Sequence, residues 1–103
     1  MGNPMRIRAN ATGDVVEVKA LIRHDMETGQ RKDSSGKAIP PHFIQTLTAK
    51  CNDKLVLDAQ MGTSISKDPF LSFKFKGGAK GDKVTITWTD NKGDTRTDEA
   101  VIA

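Results

Sequence analysis

Two histidines, a cysteine and several carboxylates lie close together in the middle of this 103-residue chain: His24, Asp25, Glu27, Asp33, His42 and Cys51. Imidazole, thiolate and carboxylate are the common metal ligands, and three or four of them converging could hold an ion. Cys51 and one histidine could instead form a nucleophile and its base, if the fold made them neighbours. A third possibility is a phosphate cradle at Gly77-Gly78-Ala79-Lys80-Gly81. The spacings favour none of these. There is no HxH, HxxxH or CxxC pattern, so no metal site is expected and the histidines read as solvent-facing loop residues. The glycine stretch joins two strand-like runs, whereas a P-loop leads into a helix and has Ser or Thr directly after its lysine. A hairpin turn accounts for it, and no cofactor is expected.

The elements that must position these residues are strands. Met5, Ile7 and Ala9 alternate with Arg6, Arg8 and Asn10, the period of a half-buried edge strand. Gly13-Asp14 turns the chain into a second run with Val16, Val18, Ala20 and Ile22 on one face. A third run places Phe43, Leu47 and Ala49 at one parity, with Cys51 in line, so the thiol is expected to point toward the core or the sandwich end. A buried thiol there is inert. Asn52-Asp53 is a tight-hairpin signal, because both residues tolerate positive φ. Leu55, Leu57, Ala59 and Met61 follow, up to a break at Gly62-Thr63-Ser64. Leu71, Phe73 and Phe75 mark the next strand. Val84, Ile86 and Trp88 alternate with threonines, and a last strand covers Thr95–Ile102 after the Asp90–Asp94 turn. Seven short strands separated by turns predict one all-β domain over 1–103, an immunoglobulin-like antiparallel sandwich. The single cysteine excludes an internal disulfide, so Trp88 is expected to pack against aliphatic side chains.

Between the second and third runs lies a polar excursion, residues 24–42, HDMETGQRKDSSGKAIPPH. Loops longer than about 12 residues are uncommon in compact domains and are usually functional or disordered. This excursion is the first place to look for function.

Composition narrows the classes. Hydrophobic residues make up 36% and aromatic residues 5%, without tyrosine, which suits one thin aliphatic core and not a deep enclosed active site. The net charge of +3 comes from 16 basic and 13 acidic residues in an interspersed order. A nucleic-acid binder would more often carry a basic face set with aromatics. Arg6, Arg8, Lys19 and Arg23 alternate with apolar residues as on a solvated strand face, and no nucleic-acid partner is expected. The basic balance suits an acidic protein partner. No apolar run approaches the roughly 18 residues of a membrane span, and the N-terminal residues have no apolar signal region. Taken literally, this predicts a soluble cytoplasmic protein.

The segment HDMETGQRKD, with Gly36-Lys37, Ile39-Pro40 and Phe43-Ile44, resembles the corresponding loop of the SoxZ family. The likeness continues through SISKDPFLSFKFKG and GDKVTITWTDNKGDTRTDEA, so it covers nearly the whole chain. Asp25 departs from it, since many members carry proline there. The family supplies the smaller subunit of the SoxYZ sulfur carrier of bacterial thiosulfate oxidation. The resemblance implies an immunoglobulin-like, non-catalytic subunit. It pairs with a SoxY-type partner whose glycine-flanked C-terminal cysteine carries the sulfur intermediates visited by the other Sox enzymes. The covalent chemistry is then expected outside this chain, which ends at DEAVIA.

The resemblance also implies the periplasm, reached by export bound to a partner with a twin-arginine signal. On this reading His24, Met26, Thr28, Gly29, Arg31 and Lys32 form a recognition loop, with Arg31 and Lys32 able to attract thiosulfate or an S-sulfonate. Cys51 is a candidate for a disulfide to the partner. Two alternatives stand beside this reading: a sulfur-handling enzyme with Cys51 as nucleophile, and a free-standing adhesive sandwich.

Overall fold

The computed structural model describes residues 4–24, 26–62, 65 and 68–103. Asp25 and the Thr63-Ser64 break lie outside them. The chain forms β1 (Arg6–Thr12), β2 (Val15–Leu21), β3 (Ile44–Cys51), β4 (Lys54–Gln60), β5 (Phe70–Lys76), β6 (Lys83–Asp90) and β7 (Thr95–Val101). All pairings are antiparallel, in a three-stranded sheet ordered β1-β2-β5 and a four-stranded sheet ordered β4-β3-β6-β7. This is the seven-strand sandwich expected from the sequence, with β1 at a sheet edge.

Alternation decides what fills the core. Val16, Val18 and Ala20 of β2 meet Leu47 and Ala49 of β3 and Val84, Ile86 and Trp88 of β6, all at most 1% exposed. Each buried Val, Leu or Ile side chain contributes about 1.5–3 kcal/mol over leaving it in water. The turns are those the residues demand. Asn52 and Asp53 have φ of 48° and 72°, as a two-residue hairpin with both central residues left-handed requires.

The two sides of the sandwich differ. On the β1/β7 side, backbone bonds tie the sheets together: Ala11 N–H donates to Ala103 O and Ala103 N–H to Ala9 O, at 3.0 and 2.8 Å. On the other side, β4 and β5 contain no fully buried residue.

Two bulges change the expected parity. Ile44 pairs with Asp90 and Thr46 with Thr89, so Gln45 is an extra residue that turns Ile44 inward. Ile44 is therefore fully buried, while Phe43, expected to share the core face with Leu47, is half-buried. In β4 the partners step from Leu57 to Leu55 as β3 advances from Ala49 to Lys50, which makes Val56 the extra residue. Leu55 is rotated out of the core and is 51% exposed, contrary to its alternation with Leu57.

Candidate functional site

The excursion is described at His24 and over residues 26–42. It is a narrow hairpin arm with a built base and a self-contained tip. At the base, Glu27 and His42 exchange both backbone hydrogen bonds, at 2.6 and 3.0 Å. Farther out, Ile39 N–H donates to Arg31 O and Asp33 N–H to Lys37 O. At the tip, Oδ1 of Asp33 accepts from Ser35 N–H, Ser35 O–H and Lys37 N–H at 2.9, 2.7 and 3.1 Å. The Ser35 hydroxyl and then the Lys37 amide hold the Asp33 carboxyl below its ordinary pKa.

The base is latched to the β6–β7 hairpin by one carboxylate. Asp90 ends β6 on its inward face and is 2% exposed. Its Oδ2 lies 3.1 Å from Nε2 of His24 and 2.6 Å from Nε2 of His42, while Oδ1 accepts from the amides of Lys92 and Asp94 at 3.0 and 2.9 Å. Burial works against the charge. The bonds from His24, His42 and the two amides outweigh it and hold the carboxyl below its ordinary pKa. The neighbouring Asn91 adds a second clamp: its side chain accepts from Phe43 N–H and donates to Pro41 O, at 2.8 and 2.9 Å.

The histidines thus correct the expectation of solvent-facing rings. His24 is 6% exposed, His42 is half-buried, and their rings meet edge-on at 4.5 Å. His24 also stands perpendicular to Trp88 at 5.1 Å, so the indole packs against a polar ring as well as aliphatics. Asp90 is the residue that sequence reasoning missed, because Asp90-Asn91-Lys92-Gly93-Asp94 has the composition of a turn. Its parity with Val84, Ile86 and Trp88 was the available signal, since a carboxylate on an inward face needs partners.

His24 Nε2, His42 Nε2 and Asp90 Oδ2 lie within 4.8 Å of one another, which is suitable spacing for a metal ion. Protonation argues otherwise. His24 Nδ1 accepts the Met26 amide at 3.0 Å, so the ring carries its proton on Nε2 and has no lone pair there for a metal. The cluster reads as a donor–acceptor latch.

Of the six residues expected to form a recognition surface, two are buried, one is half-buried and three are exposed. His24 and Met26 are buried and hold the arm in place. Met26 takes φ of 50°, a conformation costing a non-glycine residue roughly 1–2 kcal/mol. The bond to His24 and that from Ile44 N–H to the Met26 thioether, at 3.4 Å, fix it there. Gly29 has φ of 88°, and a Cβ there would stand 2.7 Å from Pro41 Cγ, so this position excludes a side chain twice over. Thr28, Arg31 and Lys32 are exposed. The Arg31 guanidinium is paired with Glu27 of the same arm, Nε lying 3.2 Å from both carboxylate oxygens.

Cys51 points inward as its parity predicted, is 8% exposed and forms no disulfide. It ends β3 at the opposite end from His42, about 24 Å of strand away, so no cysteine–histidine pair exists. Burial and then the Asp82 charge raise its thiol pKa, against a lowering by Lys54, the reverse of what an activated nucleophile needs.

Comparison with known proteins supplies the identity. No curated protein matches the chain. The crystal structure of a hypothetical protein from Pyrococcus horikoshii OT3 superposes with a TM-score of 0.68 over 98% of this chain and 88% of that one, at 19% identity, a likeness of fold. The family model of the sulphur oxidation protein SoxZ matches residues 5–101, nearly the whole chain. The protein thus belongs to the SoxZ family of sulphur oxidation proteins.

Proposed function

We propose that this chain is the non-catalytic subunit of a SoxYZ-type sulfur carrier. It binds a SoxY-type subunit whose C-terminal cysteine arm holds the sulfur intermediates, and helps present that arm to the enzymes of thiosulfate oxidation. The family match over residues 5–101 carries this reading. Two features of the fold agree with it. The only cysteine is buried with a raised thiol pKa, which suits a subunit whose partner does the covalent chemistry. The arm is latched at its base and exposes residues 30–38, the form of a recognition element. The complex works in the periplasm, this subunit being exported with its signal-bearing partner.

Co-expression with the SoxY-type protein should give a stoichiometric heterodimer that restores thiosulfate oxidation to a strain lacking this chain. A lone monomer that restores nothing would reject the proposal. Arg31→Ala should leave the heterodimer intact and lower turnover; unchanged turnover would remove Arg31 from recognition. Cys51 stays a reduced thiol on this reading. Intact masses of the separated chains, with and without reductant, should agree, and a mass corresponding to linked chains would reverse that assignment.

A further inference from the structure

The two outer faces of the sandwich carry very different charge. On the four-stranded sheet, seven threonines from β3, β6 and β7 (among them Thr46, Thr87 and Thr97) cover most of the surface, and Lys50 and Lys83 are balanced by Asp58 and Glu99. On the three-stranded sheet, the register sets out rows across the strands: Arg6–Leu21–Phe70, Arg8–Lys19–Ser72, Asn10–Glu17–Lys74 and Thr12–Val15–Lys76. Five bases and one acid share that face, a net of +4, more than the +3 of the whole chain. All of the protein's positive excess is therefore concentrated on this one surface.

The arrangement is not a self-neutralised strand face. Arg8 stands directly opposite Lys19, a like-charge cross-strand pair that disfavours the sheet. Glu17 serves Lys19 and Lys74 at 3.7 and 3.8 Å, and among the described residues Arg6, Arg8 and Lys76 have no acidic partner. The same face holds the most exposed large apolar side chain among the described residues, Phe70, 64% exposed beside Leu21. Next to that row, Arg6 and Arg23 line a groove of about 400 Å³ with Pro4 and Met5.

We infer that the outer face of β1-β2-β5 docks an acidic protein surface, with Phe70 and Leu21 as its apolar contact and Arg6 and Arg8 taking carboxylates. Guanidinium forks match carboxylates in a bidentate fashion. A protein fits better than a nucleic acid. Glu17 sits in the middle of the face, and Phe70 alone gives no series of aromatic rings for stacking bases. Long, solvated charges speak for encounters that form and dissolve, whose rate charge governs more than final affinity. On the carrier-subunit reading, which this inference requires, the occupants are the enzymes that visit the carrier in turn.

The test uses the assembled carrier complex and the purified host enzymes that act on it, with kcat and KM for the complex measured at about 20 and about 300 mM salt. With wild-type carrier, KM should rise roughly 10-fold between the two salts. R8E/K19E, and R8E alone to a smaller degree, should raise KM at low salt and flatten its salt dependence, with kcat and the heterodimer unchanged. A variant KM equal to wild type overturns the inference. So does loss of the heterodimer, which would make this face the permanent subunit contact, and so does tight, R8E-sensitive binding of a labelled DNA duplex at about 150 mM salt. If the wild-type heterodimer itself does not form, the carrier-subunit reading fails and this docking assignment falls with it.

Discussion

Asp90 at the base of the arm and Asp33 at its tip do similar work in different surroundings. Asp90 receives bonds from His24, His42 and the amides of Lys92 and Asp94, and it is 2% exposed. Asp33 receives bonds from the Ser35 amide and hydroxyl and from the Lys37 amide, in full contact with solvent. At the tip, water competes for every donor, so the exchange is nearly even. At the base the Asp90 carboxylate and the His24 ring are shut off from water, so a partner lost there keeps its desolvation cost. Burial, more than the number of bonds, makes the base the fixed end of the arm and leaves the tip free to adapt.

The sharpest way to break this contrast is Asp90→Ala. It should cost on the order of 3 kcal/mol in urea unfolding, because it strands the buried His24 donor and takes the shared acceptor from His42 and two part-buried amides. Trp88, the only tryptophan, lies against His24 and reports the transition. A loss under about 1 kcal/mol would mean that the base is no better insulated than the tip.

Acid should reveal the same difference. The folded pKa of Asp90 is depressed, so its contribution to stability is complete above the unfolded value near 3.9 and disappears as pH falls through the lower folded value. Asp98, held down by Arg96 first and by the Met5 amide, titrates in the same direction. Asp90→Asn should therefore flatten the decline of stability below about pH 4 without abolishing it. An unchanged acid limb would show that other carboxylates govern it.

Gly29→Ala comes next, at about 1 kcal/mol or somewhat more, from the left-handed backbone and the approach of Pro41. The smallest effect belongs to Asp33→Ala. The unfolding midpoint should not move, while the amides of Ser35 and Lys37 exchange faster with deuterium. A shifted midpoint would show that the tip is coupled to the sandwich after all.

Strand number, order of apolar faces and the inward setting of Cys51 were legible in the sequence because period-two alternation is a direct trace of burial. What was hidden had a physical reason in each case. The Gln45 and Val56 bulges each insert one residue, and apolar side chains stand at both parities around them, so nothing in the sequence marked Ile44 as inward or Leu55 as outward. The latch was hidden because its three members are far apart in the chain and its carboxylate sits where β6 gives way to a turn. Polar residues in a long excursion resemble solvated ones until a buried partner is found. The arm was legible as an excursion, but not as a hairpin, since its backbone pairing at Glu27–His42 and Lys32–Ala38 follows no apolar pattern.

The closure of the arm at Glu27–His42 also changes how freely its length can vary. Once the base is clasped, residues added beyond it enlarge only a small outer loop, and doubling such a loop costs only about 0.6 kcal/mol in chain entropy. The Asp33–Lys37 turn is thus a site where insertions, deletions or grafted sequences can be exchanged without disturbing the sandwich. It could accept a reporter tag, and it is where relatives could diverge in length while keeping the same scaffold.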